Sequence, residues 1–533
     1  MKVAIDVVPI RNTGEMGGAF QLVTELIKGL AQYNDKDQYF LLTAEWNHQY
    51  FESFEQYGIE RVLVQASPVK VQPPIKKGFY YKVKRKIFNK IKTLSKKIFK
   101  TVNQTKKSIL RSRSIDVLFC PMSAINFSEP GIPTLSLIYD LQHKYYPQFF
   151  KEEELSVRDN FYSGICELAD YVVCISEFTK DTLVDKLNYP KDRAEVVYIS
   201  IQDRLDEISS EQQNETINKF GLNGKNYAYF PANFWPHKNH RILLLAMSIL
   251  INKYPELDLH LCLTGSLLNQ DTYFEEIINQ MNLKDRVHHL GYVAEQEVSA
   301  LMKRANFLIF PSLFEGFGIP VAEAMSMGVP VICSHNTSLP EVGGEAVLYF
   351  DPRKPEEIAE VMKNIMTNDS LRESLIRSGY KQVEKFDNSK MIEQYYDLLC
   401  KVAKTESNNK YSINGVYQDN WSEKEIEISI SHCTEDRYLY VEMILPSISP
   451  HKRGQLSLDI NGRKRKYSLI ADQLIIITED LPKIASQISI KVESTFSPNE
   501  IDIADDRQLG VQILKAEIRE KKSNSTLKAL HGV

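Results

Sequence analysis

Short apolar runs alternate with segments of helical period along most of this chain. Residues 2–7, KVAIDV, read as a buried strand around Asp6, followed by a glycine-containing loop and by QLVTELIKGLAQ with helical spacing. Further strands are predicted at 39–45, 62–66, 116–120, 134–140, 171–176 and 194–200. Strand and helix alternating over this length predict a doubly wound parallel sheet. The pattern then restarts, with strands at 226–234, 257–265, 286–293, 307–312, 330–334 and 346–352 and an apolar helix in HRILLLAMSILINKY. A helix over 386–404 closes this second unit and can cross back onto the first. After KTESNNKYS the runs EIEISI, LYVEMIL, QLSLDI, KYSLIA, LIIIT, ISIKVES and LGVQILKAEI are short strands separated by turn residues, which predicts an antiparallel β-sandwich.

The expected fold class is α/β, with domains at 1–200 and 201–385, a crossover helix at 386–404 and an all-β sandwich at 410–533. A length of 533 residues suggests three or four domains, and 43% hydrophobic residues suffice for several cores. The seven cysteines are scattered, without a CxxC pair or the short spacings of zinc sites, so a reduced, cytoplasmic protein is expected. The N-terminus lacks the charged-then-apolar order of a signal peptide, and no apolar run is long enough to span a bilayer.

Net charge is −4, but between Lys70 and Arg113 there are 16 Lys/Arg and no Asp or Glu, which leaves −20 on the rest of the chain. Within this segment Val83, Ile87, Ile91, Leu94, Ile98 and Val102 recur every three or four positions with lysines on the other faces. That pattern describes a basic amphipathic helix inserted at 70–113. A solvated surface helix is one reading. Attachment of residues 76–113 to an anionic membrane surface is the other, each basic residue near the surface contributing roughly 1 kcal/mol. Nucleic acid is not expected as a partner, because nothing else in the chain looks like a base-reading module.

The densest chemistry lies in FEGFGIPVAEAMSMGVPV, residues 314–331. The strand FLIF delivers the chain to Pro311 and Ser312 at the carboxyl end of a parallel sheet, where open α/β folds place their ligands. Gly316 and Gly318 allow close backbone approach. Pro320 suits a helix start and Gly328 its end, so free amides and a positive dipole end would face an anion such as a diphosphate. Glu315 in the loop and Glu323 one turn into the helix put two acceptors on one rim, which suits a nucleotide sugar with its phosphates between two sets of hydroxyls. Either glutamate alone would also fit an ordinary solvated or first-turn residue.

Glu–x7–Glu in this setting, followed by SLPEVGGEAVLYFDP, closely resembles the retaining glycosyltransferases of family 4, whose GT-B fold has two facing Rossmann-like domains. The resemblance extends over roughly 1–404 and is strongest in 226–352. It implies that Glu315 contacts the donor sugar hydroxyls, that Glu323 contacts the ribose, and that Gly316, Phe317 and Gly318 offer amides to the sugar and diphosphate. ANFWPHKNH resembles the segment whose lysine, here Lys238, binds the diphosphate; the family often has an arginine five or six positions earlier, where this chain has Asn233. Gly17 and Gly18 match the glycine loop after the first strand, and Gly265 and Tyr292 join the donor-binding set. Tyr292 follows Gly291 in GYVAEQE, which resembles the loop that cradles the base. In IYDLQHKYYPQFF, where the family often reads His-Asp, Asp140 follows Tyr139 and His143 lies three residues on. The polar partner at the reacting sugar is therefore either Asp140 or His143.

The implied reaction moves a hexose, mannose being favoured, from a GDP- or UDP-hexose to a lipid-linked or polysaccharide hydroxyl with retention of configuration. No cofactor and no metal are expected, because no DxD-type ligand pair stands in a suitable loop. Localisation would be cytoplasmic, peripheral at the inner face of the cell membrane. Two other readings stay open: a catalytically silent glycan-binding scaffold using the sandwich, and a GT-B-fold sugar-nucleotide epimerase.

Overall fold

A computed structural model of the chain describes residues 1–11, 17–65, 109–200, 208–267, 272–405, 407, 411–416, 422–430, 437–445, 452–481, 486–493 and 511–520. The amphipathic helix expected within 70–113 lies outside the described residues except for its last few positions, where Ile109–Ser112 is helical.

The N-terminal domain is a seven-stranded parallel sheet: β1 (Lys2–Asp6), β2 (Gln38–Ala44), β3 (Glu60–Gln65), β4 (Val117–Cys120), β5 (Thr134–Ile138), β6 (Tyr171–Cys174) and β7 (Ala194–Val196). Its spatial order is β3-β2-β1-β4-β5-β6-β7. The second domain repeats the plan with β8 (Tyr227–Pro231), β9 (His260–Thr264), β10 (Val287–His289), β11 (Phe307–Phe310), β12 (Val331–Ser334) and β13 (Leu348–Phe350), in the order β10-β9-β8-β11-β12-β13. All pairings in both sheets are parallel, with Phe307 opposite Ala228 and Leu308 opposite Tyr229 at the centre of the second. Helices cover both faces of such sheets, so the central strands are apolar throughout: β4, β5, β9, β11 and β12 are buried at every position.

Several predicted strands are longer than the observed ones. Only 194–196 of the run 194–200 and 348–350 of 346–352 pair with a neighbour. The flanking apolar residues still belong to the core, as Val197 and Ile199 do, because burial does not require ladder pairing. Gly17 and Gly18, expected in the loop after β1, instead open helix α1 (Gly17–Tyr33). They remain at a terminus where backbone N–H groups have no partner within the helix.

The helix Asn388–Ala403, capped by Asp387 Oδ1 on the Lys390 N–H at 3.1 Å, returns to the first domain. Tyr395 is fully buried with its ring 5.8 Å from Phe119 of β4, and the Asn34 side chain donates to the Tyr396 hydroxyl at 2.5 Å. A Cβ at Gly29 would come within 2.2 Å of Ile392 Cδ1, so the missing side chain in α1 lets the two helices touch.

The C-terminal region is antiparallel. Five strands, β14 (Tyr411–Val416), β15 (Ser422–Ile430), β20 (Ser486–Val492), β17 (Arg453–Ile460) and β18 (Arg463–Ile470), form one sheet. The second comprises β19 (Leu474–Leu481), β16 (Arg437–Ile444) and β21 (Gln512–Glu520). Both sheets contribute alternate residues to one core, among them Ile428, Val441, Leu458, Ile477 and Ile490. All seven predicted strands occur. β14 was not anticipated; the Asn-Gly pair inside it is a turn signal.

Candidate active site

In each sheet the strand order reverses beside the first strand, between β1 and β4 and between β8 and β11. At such a point the loops leaving two neighbouring strands diverge and open a crevice at their carboxyl ends. In the second domain those two loops are 232–239 and 311–318, and they carry Lys238 and Glu315. The side chains meet: Lys238 Nζ lies 2.6 Å from Glu315 Oε1, both largely shielded at 17% and 12% exposure.

The loops are tied so that the meeting is fixed. Asn239, with φ +65°, donates from Nδ2 to Pro311 O at 3.1 Å and to Pro352 O at 2.8 Å. Leu313 N–H donates to His237 O at 2.7 Å. Lys238 Nζ also stands 5.2 Å above the Phe310 ring. Burial, with the Lys238 charge beside it, lowers the His237 pKa to about 4, so this imidazole adds no positive charge at neutral pH.

The loop 311–318 is gripped from its own domain by Thr337 and Ser338. Thr337 Oγ1 accepts the Glu315 N–H at 3.1 Å, and Ser338 Oγ lies 3.0 Å from both Glu315 O and Phe317 O. Phe317 is buried, its ring 5.2 Å from Phe386 and 6.3 Å from Tyr198 of the first domain. Gly318, at φ +102°, precedes the helix Ile319–Ser326, with Pro320 in its first turn and Gly328 at φ +69° just past its end. The N–H groups of Gly316, Phe317 and Gly318 meet no acceptor among the described residues. Glu323 is 1% exposed within this helix, close enough to the Tyr229 hydroxyl for its charge to raise that group's pKa.

Asp140 and His143 leave β5 on the facing domain, and the structure separates them. Asp140 abuts the loop 311–318: a Cβ at Gly316 would lie 3.1 Å from Asp140 Cβ and 2.3 Å from Tyr139 O. Burial raises the Asp140 pKa, Glu315 adds to the effect, and Lys238 opposes it. His143 turns into its own domain, stacked on Tyr162 at 5.2 Å with Nε2 3.1 Å from Asp159 Oδ1, and burial lowers its pKa. Of the two, Asp140 is the one beside Glu315.

The remaining expected positions line the rim. Asn233 is exposed, and its Oδ1 accepts the Ser266 N–H at 2.8 Å. Gly265, at φ +126°, has room for no side chain, since a Cβ would come within 2.3 Å of Ala232 O. Its N–H donates to Gly291 O at 2.8 Å, and Tyr292 beyond is 86% exposed. The start of α1, with Gly17 and Gly18, faces this rim from across the cleft, where the Gln21 amide donates to the Glu295 carboxylate. Thr337, Ser338 and Asn239 escaped sequence reasoning. Asn239 follows Lys238 and precedes an apolar helical run, a pattern that signals a cap and nothing about two loops.

Asp6 ends β1 at the first domain's crevice. It is fully buried, with Oδ1 accepting the Val8 N–H at 3.1 Å and Oδ2 the Asn126 amide at 3.0 Å. Desolvation outweighs those bonds and raises its pKa to about 7. The folded state then holds a proton that the unfolded carboxyl releases near 4, so this group's contribution to stability is lost as pH rises from about 4 to about 7. Asp6→Asn should flatten that decline; denaturant titrations of both proteins across the interval check it, and parallel curves would refute it.

Two family models match the chain: "Glycosyltransferase Family 4" over residues 16–203 and "Glycosyl transferases group 1" over residues 212–382. The O-antigen chain mannosyltransferase B of Escherichia coli is 29% identical over 244 residues, 45% of this chain and 63% of that protein. The O-antigen chain mannosyltransferase RfbU of Salmonella typhimurium is 25% identical over 260 residues, 48% of this chain and 66% of that protein. The chain thus spans slightly less than two thirds of each of these relatives. A crystal structure of Anabaena Alr3699/HepE in complex with UDP and glucose superposes with a TM-score of 0.52 at 17% identity, over 75% of this chain and all of that one. The fold is GT-B, and with the two models together matching more than half of its length, one on each Rossmann-like domain, this chain belongs to glycosyltransferase family 4.

Proposed function

We propose that the protein transfers a hexose, with mannose favoured, from a nucleoside diphosphate sugar to a hydroxyl of a lipid-linked or polysaccharide acceptor in cell-surface glycan synthesis, retaining the anomeric configuration. The observation that carries this reading is the Lys238–Glu315 pair at 2.6 Å, set at the switch point beside the start of the Ile319–Ser326 helix. Bound UDP and glucose in the Alr3699/HepE structure support a nucleotide-sugar donor, and the names of the two mannosyltransferase relatives support the sugar.

In this scheme the diphosphate enters between Lys238 and the free amides of 316–318. Its charge competes with Glu315 for the ammonium group. Glu315 is thereby released to accept hydroxyls of the sugar, while Glu323 takes the ribose. As the glycosidic bond breaks, positive charge grows on the sugar and negative charge on the leaving diphosphate. Fixed donors aimed at the diphosphate stabilise that change more than they stabilise bound substrate. The leaving phosphate takes the acceptor's proton, so neither glutamate needs to act as a base. Asp140 orients the sugar from the opposite domain. Lys238 and the helix terminus supply the positive charge, and the scheme calls for no metal ion. The basic amphipathic sequence within 70–113 supports attachment to an anionic membrane surface.

The test is to present GDP-, UDP- and dTDP-hexoses with lipid-linked and oligosaccharide acceptors and to read the product's anomeric configuration by NMR. Transfer with retention from at least one donor is expected. An inverted product, or donor hydrolysis or epimerisation without transfer, would refute the reading. Sedimentation with anionic vesicles tests the membrane surface: binding should be lost on deleting 76–113, and unchanged sedimentation would remove that part.

A further inference from the structure

The two domains meet on the donor loop itself. Phe314, immediately before Glu315, is 3% exposed and stands among three rings of the opposite domain: Tyr145 at 5.7 Å, Phe178 at 5.8 Å and Tyr146 at 6.3 Å between centroids. The Tyr146 hydroxyl donates to Leu313 O at 3.2 Å and accepts from Arg353 Nη2 at 3.0 Å. Ser176 is fully buried at the start of the helix Glu177–Leu187. It accepts the Thr179 N–H at 3.1 Å, and its hydroxyl reaches across to donate to Gly316 O at 2.7 Å. The opposite contact comes from Glu341, whose carboxylate receives the N–H groups of Glu177 at 2.7 Å and Phe178 at 3.3 Å.

These contacts bear on one short stretch of backbone. Ser176 holds the carbonyl of the residue after Glu315, while the rings around Phe314 hold the residue before it. Glu341 follows Ser338, which grips the same loop from within its own domain at 3.0 Å. A carboxylate at a helix N-terminus makes charge-assisted bonds to N–H groups that have no partner in the helix, and it complements the dipole. The Ser176–Gly316 bond, the Glu341 bonds and the ring contacts of Phe314 all cross from one domain to the other, so opening the cleft would break them.

We propose that Ser176, Phe314 and Glu341 form an interdomain clamp that makes the alignment of Glu315 conditional on domain closure. They act as positioning residues through the loop backbone, and the kinetic part of this inference rests on the glycosyl-transfer reading above. The diphosphate contacts in that reading come from loops of the second domain alone. Weakening the clamp should therefore lower the population of the aligned state and with it kcat, while binding of the nucleoside diphosphate changes little.

The experiment uses the full chain and the variants Ser176→Ala, Glu341→Ala and Glu341→Gln. Alanine at 176 or 341 should lower kcat by about tenfold or more, leave the Kd for GDP or UDP within about threefold, and raise the radius of gyration measured by small-angle scattering. Glutamine at 341 keeps one acceptor oxygen and should recover part of the lost kcat. The clamp is overturned if kcat is unchanged, if kcat and nucleotide affinity fall together, or if scattering does not respond. Should the wild-type chain transfer no sugar at all, the function proposed above fails on its own, and scattering of Ser176→Ala and Glu341→Ala still decides the clamp.

Discussion

Replacing Glu315 or Lys238 by alanine should abolish sugar transfer, with losses on the order of 10²–10³-fold or more, because each substitution removes a group placed to stabilise charge in a shielded cleft. The two losses should differ in kind. In the proposed scheme Lys238→Ala removes the cation that meets the diphosphate, and it should weaken nucleotide binding as well as turnover. Glu315→Ala, in the same scheme, removes an acceptor for sugar hydroxyls and leaves Lys238 free for the phosphates, so nucleotide affinity should hold or rise while turnover falls. Calorimetric titration with GDP or UDP beside transfer rates checks the distinction, and full activity in either variant would end the site assignment. The ion pair also predicts a signature in stability. Each single variant leaves one partly buried charge without its counterpart, so the double variant should be less destabilised than the sum of the two singles. Strict additivity in melting experiments would show that the pair at 2.6 Å contributes nothing to the folded state.

Gly316→Ala should be nearly as damaging, for a steric reason. The added methyl would lie 2.3 Å from Tyr139 O, a backbone atom that cannot swing aside as the end of a flexible side chain could. Relief requires moving the loop 311–318 away from Asp140 or opening the cleft, and either displaces Glu315. A loss of about 10²-fold in kcat/KM is expected, the order found when reacting groups are misplaced by about 1 Å. Gly164 supplies the control. It lies within the helix Glu152–Leu168 with nothing inside 4 Å of an added Cβ. Gly164→Ala should leave transfer unchanged and raise stability by roughly 0.5–1 kcal/mol, the usual difference between glycine and alanine in a helix. Equal activity of the two alanine variants would show that the close approach to Tyr139 has no catalytic consequence.

Much of the fold was legible because its signals are local. A strand buried on both faces must be apolar along its length, so β4, β5, β9, β11 and β12 announced themselves as runs without alternation. Helix 319–326 carried its own start and stop in Pro320 and Gly328. The closing helix expected at 386–404 stands at Asn388–Ala403. Where the prediction slipped, the cause was also local. The run 194–200 stays apolar beyond its last paired residue because it enters the core as a loop, and β14 hides behind an Asn-Gly pair that reads as a turn.

The sequence by itself determined the order of elements and the identity of the motif, since both depend on residues close together along the backbone. Tertiary structure decided what the motif touches. Lys238 and Glu315 are 77 positions apart, and Ser176 and Gly316 are 140 apart; no period or spacing can report such pairs. They meet because a reversal of strand order opens a crevice between two loops, and because the second domain closes that crevice against the first. The same packing settled which of Asp140 and His143 stands beside Glu315: the histidine found Tyr162 and Asp159 within its own domain, and the aspartate was left at the cleft.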